Sequence, residues 1–447
     1  MRYFLSKYIA PILWKYGKGS NRYEIYEYLK KQQGKSLEEN IAIQKKKLYE
    51  ILDYSIKNIP YYRKIARENN ITVAPNTIFE DIKKFPILTK KIIRKELNNL
   101  INKKITAVKN TSGGSTGEPV VFFQDKVKND WSAATKMFWN EWAGWKPGDL
   151  VISLWGSEKD ILKAREGLSG FLMRNFINSI NLNAFRMTKE DMLRFVEIIN
   201  KEKPSIVVAY AESIYEFSRF IEKEKIKIHT PQSIISSAGT LFPEFRKTIE
   251  RVFRCHVFNK YGSREVGDIA CECEKHEGLH LNIFSHYLEI LDDKLNNSLP
   301  RKAGDIYITT LCNKAMPLIR YAIGDIGIPD FKNPSCQRGF PVIESIKGRS
   351  VNLFETREGT LIGGEYFTHL FYFRKWVNKF QVIQKNYEAI EINVVLEKKE
   401  NLDEINEIEK NIKLVMGKEC KIVWKFVSDI SPTKSGKFLY TISELNN

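Results

Sequence analysis

Five short stretches of the chain gather residues whose types could do chemistry. The first is NTSGGSTGEPV, residues 110–120. Gly113, Gly114 and Gly117 allow backbone angles that other residues resist. Thr111, Ser112, Ser115 and Thr116 add short hydroxyls, and Pro119 ends regular structure. Two readings fit: an exposed loop before the apolar strand Val120–Phe123, or a phosphate cradle of converging N–H groups and hydroxyls. It is not the P-loop G-x-x-x-x-G-K-[ST], because Glu118 follows Gly117 and Val120 follows Pro119. The loop alone does not choose between them.

The other four stretches carry charge. NKYGSREVG (259–267) ends a strand in a turn bearing Tyr261, Gly262, Arg264 and Glu265. RYAIGDIG (320–327) sets Asp325 in a tight turn, IKGRS (346–350) carries Arg349, and SPTKSGKF (431–438) carries Lys437 after a glycine turn. Taken singly, Asp325 is equally a turn cap, Arg349 a surface ion-pair partner and Lys437 one of very many lysines. A further cluster, ACECEKHEGLH (270–280), holds Cys271, Cys273, His276 and His280, and PSCQRGF (334–340) adds Cys336. Thiolates and imidazoles at short spacing suit Zn²⁺, which takes four ligands in structural sites. A reduced thiol cluster without metal fits the same residues.

These groups need a scaffold, and the chain is long enough to build one. Its 447 residues, 43% hydrophobic, point to two or three lobes. Six cysteines are too few for a disulfide scaffold of this size. Cys312 and Cys420 read as ordinary buried thiols. No run of eighteen apolar residues appears, so no spanning helix is expected. The opening MRYFLSKYIAPILWKYGKGS imitates a signal peptide, but Lys7, Tyr8 and Pro11 break its apolar run and no cleavage site follows. A cytoplasmic chain is expected. The net charge is 71 − 54 = +17, spread over scattered lysines. Such a surface attracts nucleotides, acyl-CoA, anionic lipid or nucleic acid, or simply aids solubility. No RNA-binding motif or arginine-rich tract appears, so no specific nucleic-acid partner is expected.

Periodicity places the motifs. Residues 21–65 read as helices, the second from Leu37 to Ser55 and stopped by Asn58-Ile59-Pro60. Thr89 is a candidate N-cap. An aromatic helix spans 128–143. Strands then alternate with helices: LVISLWG (150–156), a helix Asp191–Glu202, PSIVVAYA (204–211), a helix at 213–225, SIISSAGT (233–240), PEFRKTIERVF as a helix, and CHVFNKYG. The pattern predicts an α/β fold with a largely parallel sheet and ligands at the carboxyl ends of its strands. From about residue 280, HYLEILD and DIYITTL predict antiparallel strands. The last hundred residues, with EINVVLE (391–397) and a helix at 403–415, predict a small α+β lobe.

In this order and at these distances, the five motifs make the chain resemble the adenylate-forming superfamily of acyl- and aryl-CoA ligases, from roughly residue 50 to the C-terminus. It looks most like the phenylacetate–CoA ligase branch and its relatives in capsular polysaccharide biosynthesis. The resemblance implies a large N-terminal adenylation lobe, 1–349, and a small mobile C-terminal lobe, 350–447. It makes Thr111–Gly117 the loop that holds the β- and γ-phosphates of ATP, with Val120 where a lysine is usual. Tyr261 would stack near adenine, Gly262 would admit the backbone, Glu265 would hold Mg²⁺, and Asp325 would accept both ribose hydroxyl protons. Arg349 would lie near ribose and phosphate. Lys437 would stabilise the phosphoryl group as the carboxylate attacks the α-phosphate. Relatives often place a charged hinge residue after the arginine motif, whereas this chain reads SVN.

The same resemblance implies an acyl pocket around Tyr210–Ser213 and Ser236–Thr240, with Tyr210, Ser237, Ala238 and Gly239 against the substrate. Phe138, Trp139 and Trp142 serve either as its wall or as helix core. Relatives of this branch often carry Cys and His near residue 275 and a later cysteine pair. Here only Cys336 of that pair remains, with Arg338 in the second position and Cys271 as a substitute. The candidate Zn²⁺ ligands are therefore Cys271, Cys273, His276 and Cys336, and His280 is expected in the acyl or nucleotide pocket. The expected activity is ATP-dependent activation of a small carboxylic acid, then transfer to coenzyme A. The alternatives are transfer to an amine or carrier-protein thiol, or a retired ligase fold acting as a structural partner. A homodimer, and contact of the amphipathic N-terminus with the inner face of a membrane, complete the expectations.

Overall fold

A computed structural model describes residues 2–111, 120–155, 178–183, 189–330, 334–349, 353–357, 361–371, 374–430 and 440–445. The chain divides into two compact units. The first comprises most of the chain up to Ser345, and the second runs from Ile346 onward and takes in Gly324–Ile326.

The first unit opens with helices whose ends are written locally. Leu37–Asn58 begins in a capping box: Ser36 Oγ accepts from Glu39 N (3.1 Å) and Glu39 Oε2 accepts from Ser36 N (2.9 Å). It ends where Pro60 forces Ile59 into an extended conformation, and Pro60 then starts the helix Pro60–Glu68. Thr89 does cap the helix Lys90–Glu96, its Oγ1 accepting from Ile92 N. A two-stranded ribbon, β1 (Ala107–Thr111) and β2 (Val121–Asp125), brackets the glycine-rich stretch.

The unit is built around an eleven-stranded mixed sheet. Its parallel half comprises β3 (Val151–Trp155), β4 (Ser179–Asn183), β5 (Ile206–Tyr210), β6 (Ser233–Ser237) and β7 (His256–Ser263). β8 (Gly267–Cys271), β9 (Leu279–Leu281), β10 (His286–Leu291), β11 (Gly304–Thr310), β12 (Tyr321–Pro329) and β13 (Val342–Arg349) complete it in the order β10-β11-β12-β13-β9-β8-β7-β6-β5-β3-β4. β6 throughout and β5 up to Ala209 are buried on both faces, as strands covered by helices must be. Lys189–Glu202 and Pro243–Phe253 each bury one stripe, Phe195, Val196 and Ile199 in one and Phe245, Ile249 and Phe253 in the other. Antiparallel pairing begins at β8, earlier than residue 280, because the Ser263–Gly267 turn folds β8 straight back on β7.

Lys126–Trp142 is the helix that the aromatic stretch predicted. Phe138, Trp139 and Trp142 are buried with Tyr26, Leu29, Phe284 and Phe340, so these rings are core. Cys312 and Cys420 are buried too.

The second unit carries the strands β14 (Leu353–Glu355), β15 (Leu361–Gly363), β16 (Val377–Asn386), β17 (Ala389–Leu396), β18 (Lys421–Phe426) and β19 (Thr441–Ser443). The last four form a sheet in the order β18-β17-β16-β19. Helices Gly364–Phe371 and Leu402–Met416 belong to the same unit, joined by Tyr366 Oη donating to Asn411 O (2.7 Å). The fold class is thus α/β with a smaller α+β region after it.

One buried ion pair ties the N-terminal helices to β12. Arg320, 4% exposed, donates from Nε to Glu289 Oε2 (3.1 Å) and from Nη1 to Lys83 O and Phe85 O (3.0 Å each). Tyr62 Oη donates to Pro317 O and accepts from Ile319 N beside it. Glu289→Ala should leave a buried guanidinium without its counter-charge and cost about 3–5 kcal/mol. Urea unfolding of wild type and variant measures this.

Candidate active site

The carboxyl ends of the parallel strands meet in one row. Tyr210 of β5 pairs with Ser237 of β6, Ser237 with Lys260 of β7, and Lys260 with Cys271 of β8. Paired residues point to the same face, so these four side chains share one side of the sheet. Trp155, last residue of β3, lies beside Tyr210 with ring centroids 4.2 Å apart. Trp155 was not among the residues expected at the acyl pocket. The signal was available, since LVISLW must end level with IVVAY if the two strands pair in parallel. Just past Ser237, Ala238 adopts φ +61°, a left-handed backbone that stores about 1–3 kcal/mol in a non-glycine residue. Such strain collects at sites where the chain must present itself to a ligand.

The next turn holds the nucleotide motif. Tyr261, Gly262, Arg264 and Glu265 are half-buried between β7 and β8. A Cβ at Gly262 would stand 2.7 Å from Gly267 O and 3.0 Å from Asp268 Cα, so only glycine permits this approach. Gln124 of β2 donates from Nε2 to the carbonyls of Arg264 (3.1 Å) and Glu265 (3.2 Å). Tyr321 Oη lies 3.5 Å from Glu265 Oε1. The strand that follows the glycine-rich stretch therefore sets the height of the Glu265 turn.

Thr111, first of the expected phosphate-loop residues, ends β1 opposite Val121. Ser112, Gly113, Gly114, Ser115, Thr116 and Gly117 lie outside the described residues, as does Lys437. Arg349 closes β13, and its side chain also lies outside the description. Asp325 is not in a tight turn. It sits within β12, a nine-residue strand, where Gly324 at φ +90° bends the backbone without ending it.

The cysteine–histidine cluster differs from its expected form. Cys273, His280 and Cys336 come together, with their ligand atoms all within 4.8 Å of one another. His280 Nε2 is 3.5 Å from Cys336 Sγ, while its Nδ1 faces Phe340 O at 3.4 Å. Burial lowers the His280 pKa to about 4, so the ring is neutral, and the carbonyl contact suits a tautomer whose Nε2 is free to ligate. Burial, with Cys336 alongside, pushes the Cys273 thiol up to about 11, and a bound cation would reverse that. Two thiols and a neutral imidazole at this spacing fit Zn²⁺.

His276 and Cys271 are not in this set, which takes in His280 instead. His276, at φ +53° in the β8–β9 connection, turns its Nδ1 to Glu272 Oε2 (2.9 Å). Arg246 donates from Nη2 to both oxygens of Glu272, at 2.7 and 2.8 Å. Burial works against the charged Glu272, but these partners hold its carboxyl below the usual range. Cys271 is packed in the aromatic core. Arg338 donates from Nη1 to Glu274 Oε2 (2.6 Å) and lies 4.5 Å over the Trp142 ring.

Among solved structures, the chain resembles 2-hydroxyisobutyryl-CoA ligase in its postadenylation state with R3-HIB-AMP, with a TM-score of 0.65 and 16% identity, covering 93% of this chain and 91% of that one. The same ligase with 2-HIB-AMP and CoA, in the thioesterification state, matches with a TM-score of 0.58 and 18% identity, covering 92% and 91%. The fold is that of the adenylate-forming enzymes. The family model of the CapK C-terminal domain matches residues 354–444. Protein CapK of Staphylococcus aureus is 24% identical over 432 residues, 95% of this chain and 94% of that protein. A phenylacetate–coenzyme A ligase of Thermus thermophilus is 24% identical over 329 residues, covering 71% and 72%. The chain is thus similar to CapK over most of its length and to phenylacetate–coenzyme A ligases over much of it.

Cobalt substitution tests these three candidate metal ligands. Co²⁺ titrated into the reduced chain should give a thiolate-to-metal charge-transfer band. Cys273→Ser, Cys336→Ser and His280→Ala should weaken or abolish it, and His276→Ala should leave it in place.

Proposed function

We propose that the chain activates a carboxylic acid with ATP as an acyl-adenylate, releasing pyrophosphate, and passes the acyl group to coenzyme A, releasing AMP. The observation that carries this reading is the Tyr261–Glu265 turn. It stands at the carboxyl end of β7, is braced by Gln124 from the strand after the glycine-rich stretch, and adjoins the Trp155–Tyr210–Ser237 row. The reading is also supported by the relatives named phenylacetate–coenzyme A ligase.

In this scheme no side chain acts as nucleophile. The substrate carboxylate attacks the α-phosphorus of ATP and pyrophosphate leaves. The approach sets like charges together, so it needs fixed positive charge in the transition state. Lys437 supplies it, Arg349 lies near ribose and phosphate, and Asp325 accepts the ribose hydroxyls. Thr111–Gly117 holds the β- and γ-phosphates. Glu265 would hold Mg²⁺, which offsets phosphate charge when bound. Tyr210, Ser237, Ala238 and Gly239 receive the acid, with Trp155 added to that wall. The lobe after Arg349 brings Lys437 in for adenylation and swings it away for thioester formation. Cys273, His280 and Cys336 would hold a structural zinc, which would take no part in the chemistry. By resemblance to capsule-type relatives, the product serves surface polysaccharide biosynthesis.

The N-terminus fits work beside a membrane. No helix among the described residues is long and apolar enough to cross one. Arg2–Gly17 is helical, with Ser6 and Ala10 buried while Phe4, Tyr8, Ile12, Leu13 and Tyr16 are exposed beside Lys7 and Lys15. Apolar and aromatic side chains interleaved with lysine suit an anionic lipid surface.

ATP–pyrophosphate exchange across a panel of carboxylic acids tests the activity. Exchange should depend on one class of acid and fall by about 10²–10³-fold in Lys437→Ala. Added coenzyme A should convert exchange into AMP release; AMP release only with an amine or carrier protein would replace the acceptor. The chain should also sediment with phosphatidylserine-containing vesicles at low salt, and Ile12→Glu with Leu13→Glu should abolish this.

A further inference from the structure

The turn that bears Glu265 is fixed by side chains from distant segments, and one of them is a buried histidine that no step of the adenylation scheme uses. Arg264, Glu265 and Val266 lie between the paired residues Ser263 and Gly267. Gln124 Nε2 donates to the carbonyls of Arg264 and Glu265. The next carbonyl, Val266 O, faces Nε2 of His286 at 2.9 Å. Three successive peptide groups, after Arg264, Glu265 and Val266, are thereby pinned. Gly267 backs the turn against the helix Lys126–Trp142. A Cβ there would stand 2.8 Å from Lys128 Nζ and 3.0 Å from Ser132 Oγ.

His286 is the first residue of β10 and is 4% exposed. A carbonyl oxygen only accepts, so Nε2 carries the proton and donates to Val266 O. Nδ1 then accepts from Ser285 Oγ at 2.9 Å. Burial lowers the pKa of the ring to about 4, so it keeps a single proton at neutral pH. The backbone of His286 is held as firmly. Its N donates to Asn282 O (3.1 Å), and its O accepts from Gln44 Nε2 (2.8 Å) of the helix Leu37–Asn58. Asn282 N donates in turn to Ile269 O of β8 (2.8 Å). The ring therefore has one place to stand, and that place sets Val266 O. An apolar ring would fill the same volume, whereas two directed bonds from a buried imidazole specify an orientation.

We propose that His286 is a positioning residue for adenylation: its Nε2–H, by holding Val266 O, orients the turn so that the Glu265 carboxylate meets the Mg²⁺ carried by ATP. This inference rests on the adenylating reading for the role of Glu265. His286 touches neither nucleotide nor metal in this scheme and acts through the backbone of the turn.

Calorimetry on the full chain tests it, with α,β-methylene-ATP as the probe in Mg²⁺ and in EDTA, and with AMP in EDTA as the reference. Wild type should bind the analogue more tightly with Mg²⁺ than without. His286→Asn and His286→Leu should weaken Mg²⁺-dependent binding by about tenfold to a hundredfold, with AMP affinity changed by less than about twofold. His286→Gln should keep the Mg²⁺ gain, because its amide nitrogen reaches where Nε2 stands, whereas the shorter Asn amide reaches only as far as Nδ1. Ser285→Ala leaves the ring without its aligning bond and should show an intermediate loss. Urea unfolding establishes that each variant is folded. An undiminished Mg²⁺ gain in folded His286→Leu would overturn the inference. So would loss of the gain in the Gln and Asn variants alike, or an equal loss of AMP and Mg²⁺-analogue affinity, which marks general damage to the site. If the Asn and Leu variants do not fold, an unchanged gain in Ser285→Ala overturns it. A normal gain in wild type that ignores His286 and Ser285 would leave the adenylating reading standing. Wild type that binds the analogue equally in Mg²⁺ and EDTA would sink both the inference and the metal role of Glu265.

Discussion

Asp125 holds the site together. It is 4% exposed and ends β2, and its carboxylate accepts three backbone N–H bonds. One comes from Lys128 and starts the long aromatic helix (2.8 Å); the others come from Lys314 (2.7 Å) and Ala315 (3.2 Å), in the connection before β12. Asn313 bonds back to Phe123 O and Met316 O. A buried carboxylate is stable only with its lone pairs filled, and here filling them joins a strand, a helix and a loop that are far apart in sequence. Gln124, one residue earlier, then reaches the Glu265 turn from a fixed strand. The glycine-rich stretch is anchored at its β2 end, whatever its glycines allow.

From Asp125 onward the long helix has little freedom. Its Phe138, Trp139 and Trp142 are locked among Tyr26, Phe284 and Phe340. Without a Cβ at Gly262, Asp268 stands close enough to pair with Lys260.

The thiol cluster follows from the same antiparallel half. β9 returns along β8 with His280 opposite Cys271, and pairs on its other edge with β13. Cys336 arrives from the loop before β13. His276 falls in the connection between β8 and β9, where its left-handed backbone sends the ring toward Arg246 and Glu272. A linear count of cysteines and histidines favours neighbours such as Cys271 and His276. Pairing across strands favours His280, nine residues away from Cys271 but opposite it.

The sequence by itself determined what depends on short range. Alternation of apolar strands with amphipathic helices was legible from 150 to 260, and Thr89 and Pro60 marked helix ends because capping and proline sterics act over a few residues. The α+β texture after residue 350 was legible for the same reason. The order of the glycine-rich stretch, Glu265, Asp325, Arg349 and Lys437 carried the resemblance to adenylate-forming enzymes. Tertiary structure decided what depends on register and on contacts between distant segments. It set the early switch to antiparallel pairing at β8, the strand under Asp325 and the place of Trp155 beside Tyr210. It also replaced His276 with His280 and assigned the aromatic triplet to the core. Local propensity has no term for any of these, because each is settled by which strand lies next to which and by what a helix buries on its other side.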